Sequence, residues 1–395
     1  MAQNNPIVIV GFARTPRGNF LGDLEDIKAP MLGSAVISAA VARSQLSLDA
    51  VQEVLMGCVL PAGVGQAPAR QAALLAGVLP STPCTTINKV CGSGMKAMMF
   101  AHDLLLAKSN DIVVAGGMES MTNAPYLLKQ ARQGYRFGRS EIYDHMTLDG
   151  LEDAYDTGKP MGYFAEQCAQ AMHISRESQD QYAMLSFTRA RTATDQLAFA
   201  HEIIPLTKRT KQGEVTIDSD EHPFSVNPER IPSLPPVFSK DGTVTAGNSS
   251  SIADGAAAIV LMRYQDATKR GLTPIARIVG HAGSAKRSDQ FTTAPIDAIK
   301  LLLEKIQWPI HDVDLFEINE AFAVVVLAAI DALKIPIDKL NIHGGACALG
   351  HPIGASGARI VVTLLSALKA TGLKRGVASL CIGGGEATAI ALEMY

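Results

Sequence analysis

Residues 91–97 read Cys91-Gly-Ser-Gly-Met-Lys-Ala97, open an apolar run of helical period to Ala107, and lead into the strand-like Ile112-Val-Val-Ala-Gly-Gly117. Residues 354–360 read Gly354-Ala-Ser-Gly-Ala-Arg-Ile360, open a similar run, and lead into Ala378-Ser-Leu-Cys-Ile-Gly-Gly384. This recurrence of small-residue turn, helix and glycine-ended strand points to a duplicated α/β unit. It predicts that both helix N-termini and both glycine-rich strand ends converge on one cleft, because α/β sheets bind ligands beyond the carboxyl ends of their strands.

The rest of the chain fits that unit. Short β-branched runs at Ile7–Val10, Ile112–Ala115, Ala256–Leu261 and Val377–Ile382 alternate with longer Ala/Leu-rich stretches, the signature of α/β layers. Between about 120 and 248 the apolar runs thin out, and Glu221 to Pro236 carries several prolines, so an inserted loop-rich subdomain is expected there. The expected division is 1–119 plus 249–271 as the first half, 120–248 as the insert, and 272–395 as the second half.

Composition narrows the function classes. With 395 residues, 47% of them hydrophobic and 18% charged, the chain is neither disordered nor a small disulfide scaffold. Its 35 Lys plus Arg against 38 Asp plus Glu give a net charge of −3. No global positive field draws it to nucleic acid or anionic lipid, so an anionic ligand must be met locally. The six cysteines show no Cys-x-x-Cys pair, which predicts reduced thiols, no metal centre and a cytoplasmic location. The start of the chain lacks the pattern of a secretory signal or an Arg-rich transit peptide, and Glu393-Met-Tyr395 is no retention or peroxisomal address. The longest apolar stretch, Ala321 to Ile330, stops at Asp331, short of the roughly 18 residues of a bilayer span. No membrane association is expected.

Four segments carry chemistry. In Ile87-Asn-Lys-Val-Cys91-Gly-Ser-Gly94, a cysteine precedes a helix whose N-terminus would stabilise a thiolate, while the glycines let a substrate approach. Cys91 is a candidate nucleophile, or a buried structural thiol. In His343-Gly-Gly-Ala-Cys-Ala-Leu-Gly-His351-Pro, flanking small residues leave His351 facing a cavity, where an imidazole of ordinary pKa near 6.5 would take a proton from a thiol. The strand end Ser379-Leu-Cys381-Ile-Gly-Gly-Gly385 offers a second thiol and free amides for an oxyanion. Glu317-Ile-Asn319-Glu-Ala-Phe322, read alone, is a helix start capped by Asn319 with Glu320 on its first turn. Together two cysteines, a histidine and an asparagine at such turns imply acyl transfer.

On these residues the chain resembles the thiolase family, and within it the acetyl-CoA acetyltransferase branch. The matching stretches are Asn88-Lys-Val-Cys91-Gly-Ser-Gly-Met-Lys96, Ala115-Gly-Gly-Met-Glu-Ser-Met121, Gly242-Thr-Val-Thr-Ala-Gly-Asn248, Asp254-Gly-Ala-Ala-Ala258, Asn319-Glu-Ala-Phe322, Gly350-His-Pro-Ile-Gly-Ala-Ser-Gly-Ala-Arg359 and Cys381-Ile-Gly-Gly-Gly385. They stand in the family's order across nearly the whole chain. The resemblance implies the thiolase fold, two βαβαβαββ-type halves in five layers with an inserted loop domain that binds coenzyme A, and a homotetramer built as a dimer of dimers. It implies acetyl-CoA, acetoacetyl-CoA and CoA as substrates and products, and no cofactor. Cys91 would carry the acetyl group, His351 would accept its proton, and Cys381 would take the α-proton of a second acetyl-CoA. Asn319 and His351 would hold the enolate oxygen, and the amides of Cys91 and Gly383 that of the acetyl-enzyme. Ser250 would contact the pantetheine arm, with Met161, Phe238, Ala321 and Phe322 lining its tunnel.

Some positions depart from the family's pattern. Lys159-Pro160-Met161-Gly162 stands where many members have His-Met-Gly, and the loss of that imidazole with the added bulk of Tyr163 and Phe164 leaves the shape of the acyl pocket open. Asp220-Glu-His-Pro-Phe224 and Ser233-Leu-Pro235 lack the family's usual cations, and Ser249-Ser-Ser-Ile-Ala253 replaces the commoner Ala-Ser-Gly-Ile-Asn, so phosphate contacts are unassigned. The basic run Lys208-Arg-Thr-Lys211 would meet them or form a solvated turn. The alternatives are a degradative 3-ketoacyl-CoA thiolase of longer chains, a decarboxylating condensing enzyme, which would normally have histidine at 319 and lack Cys381, and a non-catalytic acyl-CoA or lipid carrier.

Overall fold

A computed structural model describes residues 5–211 and 213–395. Met1–Asn4, where the reading of the chain's start begins, lie outside the described residues. The first half runs β1 (Ile7–Arg14), the short β2 (Gly18–Asn19), α1 (Ala29–Arg43), β3 (Glu53–Gly57), α2 (Pro68–Ala76), β4 (Cys84–Ile87), α3 (Ser93–Leu106) and β5 (Ile112–Ser120). There follow the two-stranded ribbon β6 (Tyr126–Leu127) and β7 (Tyr143–Asp144), helices α4 (Met161–Ala171) and α5 (Arg176–Asp195), the hairpin β8 (Leu206–Thr210) and β9 (Gly213–Ile217), and the short α6 (His222–Ser225). The chain then returns through β10 (Ala253–Arg263) and α7 (Tyr264–Lys269). The second half runs β11 (Ala276–Ala285), α8 (Ala294–Ile306), β12 (Leu315–Ile318), α9 (Ala323–Leu333), the short α10 (Ala346–Leu349), α11 (Ile353–Thr371), β13 (Arg375–Ile382) and β14 (Glu386–Met394).

Strand order shows the duplication directly. It reads β4-β3-β5-β10-β1 in the first half and, outward from the seam where β1 meets β11, β11-β14-β13-β12 in the second. Two departures from an ideal repeat are informative. The second half's counterpart of β4 shrinks to one parallel bridge, Phe316 to Leu340, so its expected third strand is vestigial. Conversely, β1 and β11 share a bulge at the same place, between Ile9 and Gly11 and between Ile278 and Gly280, a feature that re-aims a strand and persists in related units.

Five layers follow from where the strands bury their two faces. In β1, Val8 and Val10 point to a core shared with Leu32, Val36 and Met56, under α1 and α2. Ile7 and Ile9 point the other way, to a core shared with Met95 and Met98 of α3 and Ile360 and Leu364 of α11. Burial on both faces is why β1 reads as a continuous apolar run rather than an alternating one. The outer face of the second half is covered by α8 and α9 through Ile299, Leu302 and Val324. Helix α11 is, by length and composition alone, apolar enough to cross a bilayer, but it is almost wholly buried as the core of the stack.

At the centre α3 and α11 start beside one another. A Cβ at Gly94 would lie 2.8 Å from the Ala358 nitrogen, and one at Gly357 2.6 Å from that of Met95. Only glycine permits this backbone-to-backbone crossing. It brings the starts of the two helices together, as the duplicated motif predicts, and Cys91 packs against the cluster that holds Ile353 at the start of α11. The two glycine-rich strand ends differ in use: Gly116 and Gly117 lie inside β5, whereas Gly383–Gly385 form the turn between β13 and β14. All six cysteines are unpaired.

Candidate active site

Cys91 sits on a strained turn. Val90 before it has φ +46°, a conformation disfavoured for a β-branched residue. Two side chains hold it there. Asn88 Oδ1 accepts the Val90 N–H at 3.0 Å, while Ser93 Oγ accepts the Lys89 N–H at 2.8 Å and donates to the Val90 carbonyl at 2.6 Å. The sulfur accepts from its own backbone N–H and from that of Gly383, the pair of amides assigned to an oxyanion. Burial pushes the thiol up to about 11, with those amides opposing and the Glu119 carboxylate adding to the rise. Burial thus works against the thiolate that a helix N-terminus would stabilise.

His351 is buried and oriented by a residue to which the sequence reading gave no role. Its Nδ1 lies 2.5 Å from Ser356 Oγ, whose single proton goes to the Pro352 carbonyl at 2.9 Å. The hydroxyl must then accept the Nδ1 hydrogen, which leaves Nε2 as a bare lone pair. Nε2 has no partner within the protein, and the residue lines the main cavity. Burial, then the charge of Arg359, lowers the imidazole to about 3, well below the ordinary value used in the sequence reading. Loss of this clamp should be visible in turnover. Ser356→Ala is expected to lower kcat/KM for thiolysis by about 10- to 100-fold, by letting the ring populate the wrong tautomer. A variant with native kinetics would show that Ser356 does not set the tautomer.

Asn319 is not a helix cap. Helix α9 begins at Ala323 with Phe322 in the cap position and no side-chain cap. The Asn319 amide is instead held edge-on: its Oδ1 accepts from Arg359 at 3.3 Å, and its Nδ2 has no partner. A buried N–H donor without an acceptor suits a ligand oxygen or an ordered water. Arg359 also reaches Glu317 at 3.4 Å; burial nonetheless pushes that carboxyl up to about 8. Glu320 accepts from the hydroxyls of Tyr182 and Ser186, from Asn341 and from the Cys347 amide, and so fastens α5 of the insert to the second half.

Cys381 lies beneath the same site, its thiol pushed above the ordinary range by burial and by the neighbouring Cys91 sulfur. A Cβ on Gly383 would sit 3.4 Å from Met161 Sδ. Glu119, a second residue without an assigned role, is buried and accepts three backbone N–H bonds, from Val59 (2.9 Å), Leu60 (3.2 Å) and Gly354 (2.9 Å). It ties the start of α11 to the loop whose Val59 and Leu60, with Met121, Met146 and Ile353, form a cluster against which Cys91 packs. Burial pushes its carboxyl up to about 7.

A cavity of about 660 Å³ runs from His351 outward past Met161, Ser250, Phe238 and Phe322 to His222, Leu234 and Val237. The Phe238 and Phe322 rings meet edge-on at 6.1 Å. Ala321 does not line it; its carbonyl accepts the Ser250 N–H at 3.0 Å and so positions that serine. The structure also places Tyr163 and Phe164, whose bulk had left the pocket shape open. Neither lines the cavity: Phe164 is in the second-half core, with Tyr163 packed against it, because α4 turns that face toward α9. Among the described residues no Lys or Arg lines the cavity. Lys208 is paired with Glu25 and Asp26, Arg209 with Glu214, and Asp220 is locked between Arg14 and Arg17.

Two family models cover this architecture, the thiolase N-terminal domain over residues 7–265 and the thiolase C-terminal domain over 272–394. The chain belongs to the thiolase family. Among this thiolase's relatives are acetyl-CoA acetyltransferase 1 of Arabidopsis thaliana, 49% identical over 395 residues with 99% of this chain and 95% of the relative covered. Another is the mitochondrial acetyl-CoA acetyltransferase of Homo sapiens, 46% identical over 389 residues, covering 98% of this thiolase and 90% of the human protein. Of solved structures, the Bacillus anthracis acetyl-CoA acetyltransferase superposes with a TM-score of 0.96 at 40% identity over 99% of both chains. The Acat5 thiolase from Ascaris suum in complex with coenzyme A gives 0.93 at 40% identity, over 99% of this thiolase and 100% of the other.

Proposed function

We propose that this thiolase is an acetyl-CoA acetyltransferase, condensing two acetyl-CoA to acetoacetyl-CoA and CoA and running the same steps backwards as thiolysis. One observation carries the reading: an apolar cavity is lined by His351, whose Nε2 has a lone pair and no partner, and Cys91, whose sulfur is stabilised by two backbone amides, packs against the cluster that includes the cavity residues Met121 and Ile353. The names of the relatives support the same activity.

The proton inventory closes with the groups present. Cys91 attacks the acetyl carbonyl, its proton passes to His351 Nε2, and the carbonyl oxygen lies on the Cys91 and Gly383 amides. The carbon–sulfur bond to CoA breaks as CoA takes a proton from Cys381. The acetyl-enzyme then faces an imidazolium and a thiolate. That thiolate removes the α-proton of the second acetyl-CoA, while imidazolium and Asn319, directly or through a water, hold the enolate oxygen. The enolate attacks the acetyl group, the bond to Cys91 breaks, and imidazolium returns the proton to Cys91. An imidazole of low proton affinity suits this role, because its charged form is a strong donor to an enolate.

Coenzyme A is substrate and product, not a resident cofactor, and its pantetheine arm suits the apolar cavity by Ser250 and Phe322. Cys91 packs against the apolar cluster of Val59, Leu60, Met121, Met146 and Ile353, and bulky side chains this near the nucleophile favour short acyl chains over the longer-chain degradative reading. A series of 3-ketoacyl-CoA substrates tests this. The rate of thiolysis is expected to peak at four carbons, and a peak beyond six overturns the assignment. A homotetramer is supported by two surfaces: the half-buried edge strand β4, and the β6–β7 ribbon segment, which exposes Tyr126, Leu128, Phe137 and Ile142. Light scattering reads the mass directly. Six free thiols favour a reducing compartment such as the cytoplasm.

A further inference from the structure

We propose that His102, Asp103 and His281 form a binding site for one divalent transition metal ion of the zinc class, clasping the first half of the fold to the second. His102 and Asp103 lie near the end of α3, and His281 lies on β11, so the three residues span the seam where β1 meets β11. The sequence reading expects no metal because no Cys-x-x-Cys pair is present, and these ligands, with Asp103 and His281 178 positions apart, offer no spacing that a sequence pattern could show.

The geometry is that of a ligand face nearly assembled. Asp103 Oδ1 lies 3.1 Å from His102 Nδ1 and 2.9 Å from His281 Nε2, and all three ligand atoms fall within 4.8 Å of one another. A tetrahedral ion with donors at ~2.0–2.1 Å has ligand–ligand edges of about 3.3 Å, so two of the three edges are already close to that length. The rings stand edge-on with centroids 5.0 Å apart. A cavity of about 580 Å³ borders all three residues and gives a path for the ion and room for water as the remaining ligand.

The chemistry of the donors selects the ion. Two imidazoles and one carboxylate suit zinc, cobalt, nickel or copper rather than magnesium or calcium. Lys305, which donates to the His281 carbonyl at 3.2 Å, and Lys96 face the cluster, and Arg277 lines the cavity while paired with Glu393. Their field opposes a cation, so the ion is held less tightly than in a buried all-cysteine site.

Titration with Co²⁺ tests the site on the full-length protein. The expected result is one ion per chain with the visible absorption of a low-coordinate Co²⁺, no thiolate charge-transfer band, and loss of that ion in His281→Gln and in Asp103→Asn. Zn²⁺ at saturation is expected to raise the Tm of the native protein by about 2–4 °C and that of the variants by nothing. Thiolysis without metal should be native in both variants, which separates a lost site from a lost fold. Asp103 is exposed, so its variant serves if His281→Gln does not fold. Equal Co²⁺ binding in native protein and variants, or thiolate bands placing the ion on the cysteines, overturns the proposal.

Discussion

Cys91→Ser is expected to reduce acetoacetyl-CoA thiolysis by about 10⁴-fold or more while leaving the fold intact. The reason lies in how the site divides the work. His351 is a poor base, lowered to about 3 by burial and by Arg359. It can assist a thiol, even one raised to about 11, because the thiolate forming at Cys91 is met by the amides of Cys91 and Gly383. A hydroxyl is far less acidic than a thiol, so the same imidazole cannot draw its proton, and the shorter side chain also stands back from those amides. The measurement is steady-state thiolysis beside a thermal melt, and turnover within 10-fold of native would remove Cys91 from the nucleophile's role. The same two pKa values fix a pH signature. Because burial raises the thiol, the reactive thiolate fraction grows as pH rises toward 11. Alkylation of native protein by iodoacetamide should therefore climb through the neutral range without a plateau below pH 9.

Why was so much of this site legible in the sequence, and which parts were not? Cys91 and His351 stand at glycine-flanked turns ahead of helices, and Cys381 stands in β13 just before the Gly383–Gly385 turn; such glycine-rich segments are recognisable because few residue types fit them. The α/β layers were legible from the alternation of β-branched and Ala/Leu-rich runs, the duplication from the repeated helix-opening motif, and the five-layer arrangement from the resemblance to thiolases. What the sequence hid was pairing across long separations. Ser356 looks like any small helix residue until its hydroxyl is seen on Nδ1 of His351. Glu119 reads as a polar strand end, yet it bonds three amides from two distant segments. Phe164 reads as bulk near a pocket, but the face that α4 turns to α9 is a property of packing and not of local pattern. The Asn319 segment misleads for the same reason: Asn and Glu ahead of an apolar run satisfy the rules for a helix start, and only burial beside Arg359 gives them another use.

Cys381→Ala is expected to separate the two halves of the reaction. The first half needs a nucleophile, a base and an oxyanion site, all outside residue 381. If the thiol of Cys381 is absent, the imidazolium of His351 can itself give the proton to departing CoA, so acetyl transfer to Cys91 survives. Exchange of labelled CoA into acetyl-CoA should remain within about 10-fold of native. The second half cannot be rescued in this way, because the imidazole lone pair is then free but its lowered basicity makes it a weak acceptor for an α-proton. General base catalysis typically contributes 10²–10⁴-fold, so condensation and thiolysis should fall by about 10³-fold. The void left in place of a buried sulfur is small, and Ala387 and Ala389 pack in the same core cluster. The loss should then appear in rate rather than in folding. If exchange and condensation fell together, Cys381 would be acting in acyl transfer or in structure. If condensation stayed native, another group would have to be the base, and Glu119, raised to about 7 by burial and close enough to act on the Cys91 charge, would be the next residue to replace.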